Sequence, residues 1–178
     1  MNLRELVYSK KRISAFPGWV EPEAETGYAW FDAPLEIEGV TEVGFVLHGG
    51  CYPQRPNCCV TFELRIGRKP GRKHIPLQRL DWRAFSGGHT NPLRKGWPLS
   101  GKRTAPTHLH SFDLNWSETQ PDRMMWDELK FAEDVPEELP DFASVRSYVG
   151  NRFGIKDVDL VVEPVWVYDL FYWGGNDG

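Results

Sequence analysis

Three of the five histidines stand in short motifs whose residue types can move protons or hold a metal. His108-Leu109-His110 separates two imidazoles by one residue, and on a β-strand that spacing puts both on one face. His89-Thr90-Asn91-Pro92 lies in the Gly-rich stretch before them, and Arg79-Leu80-Asp81 precedes that stretch. Two neighbouring strands joined by a long loop would collect Arg79, Asp81, His89, His108 and His110 in one cleft.

Such a cluster supports two chemistries. Without a metal, His89 paired with His108 or His110 would act as general base and general acid, because an imidazole titrates near working pH. A phosphodiester is the matching substrate. The histidines would exchange protons with the 2′-hydroxyl and the leaving 5′-oxygen of RNA, while Arg79 and Arg83 hold the phosphate against its growing charge. Asp81 would then orient an imidazole or an arginine. This metal-independent endoribonuclease is the leading expectation, and it needs no cofactor. Alternatively His89, His108 and His110 would bind zinc, manganese or iron, with Asp81 or Asp113 completing the shell. The bland reading is also physical: His108 and His110 fall in phase with Phe112, Leu114 and Trp116, as two satisfied core histidines would.

The order Arg79-Leu-Asp81, His89-Thr-Asn-Pro92, Thr107-His-Leu-His110 resembles a group of small, largely uncharacterised bacterial and phage proteins. Their core is followed by an acidic stretch and a helix, and the likeness covers about residues 77–155. A more distant similarity is to small toxin ribonucleases that carry a histidine pair on a curved antiparallel sheet. That resemblance implies a toxin-type ribonuclease; a non-catalytic phage- or defence-related binding protein is the third reading.

The elements that must position these residues are mostly strands. Cys59 to Ile66 alternates, with Val60, Phe62, Leu64 and Ile66 on one face and Thr61, Glu63 and Arg65 on the other. Val43–His48 reads as a strand ended by Gly49-Gly50. Residues 68–72 read as a hairpin turn leading into a strand from Ile75 to Arg83. A loop from Phe85 to Pro106 precedes a strand from Thr107 to Trp116. Asp141 is a suitable N-cap for a helix to Phe153, which Gly154 ends. Val158 to Tyr168, interrupted by Pro164, reads as an edge strand. Asn2 to Arg12 fits helix or strand equally. The expectation is one α+β domain over residues 1–178: a curved, mainly antiparallel sheet with the helix at about 141–153 packed on one side.

With 178 residues and a formal net charge of −4, the chain suits one ordinary globular domain. Charge is unevenly placed. Residues 65–103 hold eleven basic side chains and a single acid, Asp81, whereas 113–163 hold thirteen acids and five bases. Clustered cations interleaved with Trp82, Phe85 and Trp97 would suit RNA, and opposed strips of solvated surface would look the same. Eight Trp, ten Phe and six Tyr make the chain ring-rich, and the segment Val165–Trp173 reads as core or as a contact for a protein partner or second copy. No apolar run is long enough for a membrane span. Three cysteines crowded at Cys51, Cys58 and Cys59, with no CxxC pair, fit a reducing cytoplasm better than a disulfide framework. His48-Gly-Gly-Cys51 would make Cys51 at most a weak nucleophile candidate.

Overall fold

The computed structural model describes residues 2–22, 24–67, 74–126 and 128–168. Its centre is one open sheet of eight strands in the order β7-β6-β5-β4-β3-β2-β1-β8. Strands β1 (Lys11–Ile13), β2 (Ala29–Ile37), β3 (Val40–Cys51), β4 (Val60–Gly67), β5 (His74–Trp82), β6 (His108–His110) and β7 (Glu133–Asp134) run as an antiparallel series, each beside its neighbour in sequence. The eighth, β8 (Ile155–Lys156), returns to the far edge and pairs with β1 in parallel. The α+β class and the mainly antiparallel sheet follow the sequence reading.

Period-2 alternation decides which face is which. Phe31, Ala33 and Leu35 of β2, Phe45 and Leu47 of β3, Val60, Phe62 and Leu64 of β4, and Leu80 and Trp82 of β5 are fully buried on one face. Helix α3 (Phe142–Phe153) covers that face with Phe142, Val145, Val149 and Phe153, and its Phe142 ring lies 5.9 Å from Phe62. Each such full burial contributes about 1.5–3 kcal/mol. A capping box starts the helix. The Asp141 carboxylate accepts from Ser144 N at 2.8 Å, Asp141 N donates back to Ser144 Oγ at 3.2 Å, and Gly154 ends the helix at φ +66°.

The opposite face carries charge. Direct partners across β2, β3, β4, β5 and β6 place Asp32, His48, Glu63, Arg79 and His110 in one row, and Thr61, Asp81 and His108 in the next.

Three expectations are corrected, and one left open is resolved. Residues 107–116 are not one strand: β6 stops at His110 and the chain turns into helix α2 (Phe112–Asn115). His108 and His110 therefore share the face of Arg79 and Asp81, while Leu109 points to the core opposite Leu80. Residues 158–168 form a short 3-10 turn and irregular chain, because β8 has already taken the exposed edge of β1. Strand β3 runs through Gly49 and Gly50 to Cys51, because aromatic rings lie directly over those glycines. A Cβ on Gly49 would fall 2.1 Å from the Phe31 ring, and one on Gly50 would strike the Tyr28 hydroxyl. The amino-terminal stretch is both helix and strand: α1 (Leu3–Tyr8) followed by β1. The turn expected at 68–72 lies outside the described residues. So does the aromatic segment from residue 169 onward; before it, Val165 and Tyr168 are exposed. Among the described residues, no helix is long and apolar enough to cross a membrane.

Candidate functional site

Asp81 is the hub. On one oxygen it accepts from Thr61 Oγ1 at 2.8 Å. The other, Oδ2, accepts from Arg79 Nε at 2.9 Å and lies 3.4 Å from His108 Nε2 and 3.6 Å from His110 Nε2. The second guanidinium arm of Arg79 donates to His110 Nε2 at 2.9 Å. Asp81, His108 and His110 can each turn one ligand atom into a group within 4.8 Å of one another. The two imidazoles are almost fully covered, with 4% and 0% of their side chains exposed.

Proton bookkeeping on the rings is informative. His108 Nδ1 faces the Ala105 carbonyl at 3.1 Å and must donate to it; in a neutral ring the Nε2 lone pair then faces a carboxylate oxygen, whereas a doubly protonated ring donates from Nε2 to Asp81. His110 Nε2 accepts from Arg79, which puts its proton on Nδ1, a buried atom with no hydrogen-bond partner. With both rings neutral, three acceptors converge, and their donors are the Arg79 guanidinium and the Thr61 hydroxyl. Burial, and then the charge of Arg79, push the His110 pKa down to about 3. Burial alone would raise the Asp81 carboxyl, but His108, Arg79 and His110 outweigh it and hold it well below the usual carboxylate range.

His89 does return to this cluster. Its ring centre lies 4.7 Å from that of His110 and 6.0 Å from that of His108. The loop after β5 closes on itself, with His89 N donating to Thr104 Oγ1 at 2.9 Å and Thr104 N donating to His89 O at 2.8 Å. His89 Nε2 donates to the Lys130 carbonyl at 2.8 Å, and burial moves its pKa below the ordinary value. Buried Asn91 pins the loop by exchanging two 2.8 Å hydrogen bonds with the backbone of Ala132. Buried Asn115 holds the same wall, donating to Phe131 O at 2.9 Å and accepting from Phe131 N at 3.0 Å. His89 is outside the group of three convergent ligand atoms.

Two expected residues stand elsewhere. Asp113 lies on α2, where it accepts from the Tyr8 hydroxyl at 2.5 Å, and it is not in that ligand group. Arg83 leaves β5 with φ +48°, stacks on Trp82 and donates to the carbonyls of Asn57 and Pro140 at 3.0 Å. Trp82 is buried, with its indole N–H on Leu139 O, and is no stacking platform. Cys51 is buried and its thiol pKa is pushed up to about 12 by burial, which leaves it protonated and unreactive.

The sequence reading missed Thr61, Glu63 and Lys130 as site residues. For the first two the signal was present, since they share the non-apolar phase of β4 and register sets them opposite Asp81 and Arg79. Lys130 acts through its backbone carbonyl, which no side-chain pattern announces. A cleft of about 500 Å³ opens beside the cluster, lined by Glu63, Arg79, His89, Pro92, Glu128 and Lys130 among others. Burial raises the Glu63 carboxyl, partly offset by Arg79, His48 and Arg65. Comparison of the chain with family models, with curated proteins and with solved structures finds no match.

Proposed function

We propose that this protein is a metal-dependent enzyme whose single divalent transition metal (zinc, iron or manganese) is held by Asp81, His108 and His110, a group that adjoins the 500 Å³ cleft through Arg79. The observation that carries this reading is the convergence of two imidazole nitrogens at 3.4 and 3.6 Å on one carboxylate oxygen. Donor atoms about 2.1 Å from a shared metal lie about 3.0–3.4 Å from each other, so the 3.4 and 3.6 Å separations come close to a coordination shell once the Arg79 guanidinium withdraws. Two histidines and one carboxylate are a donor set that suits these metals and leaves coordination positions open. The Arg79 guanidinium, bonded to both Asp81 Oδ2 and His110 Nε2, supplies positive charge where the metal ion would sit. His108 has the outer hydrogen bond that orients a metal ligand; His110 lacks one.

A bound metal would polarise a ligand atom or activate water in the cleft. Glu63 and Glu128 line that cleft, and Glu63, whose pKa burial raises, is the better placed of the two carboxylates to take up a proton there. Elemental analysis of tag-free protein tests the reading. About one zinc, iron or manganese per chain is expected, absent from Asp81→Asn and from the His108→Ala/His110→Ala double variant. Asp81→Asn keeps the side-chain volume, so circular dichroism will separate metal loss from unfolding. Wild-type protein that takes up no metal after incubation with all three ends the proposal.

Metal-independent RNA cleavage is the second reading, favoured by His89 and Arg79 lining the same cleft. Its proton carrier would be His89, since His108 and His110 are shut off from solvent. Cleavage that survives EDTA and is lost in His89→Ala would favour it.

A further inference from the structure

The metal cleft does not stand alone. A second cleft, of about 440 Å³, meets it along Pro92 and Lys130, which line both. Each has the volume of an ordinary small-molecule site, about 300–1,000 Å³. Their linings differ in charge. The metal cleft carries Glu63 and Glu128 against Arg79 and Lys130, whereas the second carries Arg94 and Lys130 and no acid among the described residues. It also holds Trp126 and Phe131, with ring centres 5.3 Å apart, and the polar side chains of Ser117, Thr119 and Gln120.

Arg94 is held flat. Its guanidinium carbon sits 4.1 Å from the Trp97 ring centre and 5.1 Å from that of Trp126. One guanidinium nitrogen, Nη1, lies 4.0 Å from Met125 Sδ; a guanidinium over an indole keeps its other N–H groups for a second partner, and a planar fork suits phosphate. Among the described residues neither Arg94 nor Lys130 has a carboxylate within ion-pair distance. Cationic forks beside aromatic faces are the combination that takes a base together with its phosphate.

We infer that the second cleft binds a nucleoside monophosphate unit, with its base against Trp126 and its phosphate between Arg94 and Lys130, so that an attached group reaches into the metal cleft. This rests on the proposed metal enzyme for the chemistry, though not for the binding. Isothermal titration of the full chain with AMP and with UMP tests it, with adenosine and inorganic phosphate as controls. Millimolar or tighter binding is expected for at least one nucleotide, at least tenfold weaker for adenosine and for phosphate alone. Arg94→Ala and Lys130→Ala, both at exposed positions, should each weaken it about tenfold, and 0.5 M salt should weaken it in wild type. Trp126→Ala should abolish it; because Trp126 is half-buried, Trp126→Phe serves as the folded control and should retain most of it. No binding of either nucleotide at 5 mM, or binding indifferent to Arg94 and Trp126, overturns the inference. Asp81→Asn separates the two claims: retained nucleotide binding without metal keeps them independent, and nucleotide binding by a wild type that takes no metal leaves this inference standing while the metal enzyme falls.

Discussion

Two clusters on the polar face of the sheet use the same residue types to opposite ends. Around Asp32, Arg65 donates to both carboxylate oxygens at 2.7 and 2.8 Å and His48 Nδ1 donates to one of them at 2.9 Å. Every group bonded to that carboxylate is a donor, and the result is a closed ion pair. Around Asp81, the Arg79 guanidinium and the Thr61 hydroxyl are the donors to a carboxylate and, with the rings neutral, two imidazole nitrogens that present lone pairs. Here acceptors outnumber donors. Carboxylate, imidazole and guanidinium make a structural clamp when donors and acceptors balance, and a cation site when acceptors are in excess. The neighbourhood sharpens the contrast, because the Asp81 cluster adjoins the 500 Å³ cleft through Arg79.

The widest separation between the clusters lies in metal uptake. Asp81→Asn is expected to weaken metal binding at least a hundredfold, and Asp32→Asn to leave it within about twofold, measured by competition with a chromophoric chelator. Equal losses in both would erase the distinction. Next comes stability. Asp32→Ala leaves Arg65, in a largely covered position, with only the 4.0 Å contact to Glu63 and should cost about 2 kcal/mol in urea unfolding, below the full cost of breaking a buried pair because Asp32 is part-exposed. The pH dependence follows from the same clamp. Burial pushes the Asp32 carboxyl up, but His48 and Arg65 outweigh it and leave it below its ordinary value. The stabilisation is therefore complete above the unfolded pKa of about 3.9 and fades as pH falls through the lower folded value. Asp32→Asn should flatten that acid limb of the unfolding curve.

A smaller effect has the opposite sign. Arg79→Met removes the guanidinium that shares Asp81 and His110 with an incoming cation, so metal affinity should rise about tenfold, or about 1.4 kcal/mol. A fall instead would mean that Arg79 supports the ligands and does not compete for them. The smallest is Thr61→Val, which deletes one 2.8 Å hydrogen bond to Asp81 and should weaken metal binding a fewfold, about 1 kcal/mol.

Much of this arrangement was legible in the residues because period-2 alternation is local. The phase of residues 59–66 and of 79–83 sets which side chains face the clusters, and β4 and β5 formed close to the expected bounds. Asp141 and Gly154 bracket α3 as caps do. Failures came where tertiary context overrides local pattern. Phe112 continues the apolar phase of His108 and His110, yet the chain turns into α2 after β6, so equal phase did not mean equal face. The β-branched run at 158–168 comes after β8, which has already taken the edge of β1. The Asp32 clamp joins β2, β3 and β4, and spacing along one strand does not reveal such a contact. Several basic residues between 65 and 103 are engaged within the fold, as Arg103 is with the carbonyls of Ser86 and Gly87.

The wall formed by residues 130–132 is attached to the rest of the molecule largely through side-chain amides. Asn91 and Asn115 each offer one donor and one acceptor to its backbone, as a neighbouring strand would. Two side chains can be kept while the stretch between Asn115 and the wall drifts, lengthens or shortens, without disturbing any strand register. The consequence is evolutionary. Ligand preference in this protein can diversify along the wall and the loop facing it, while the sheet that holds Asp81, His108 and His110 stays unchanged.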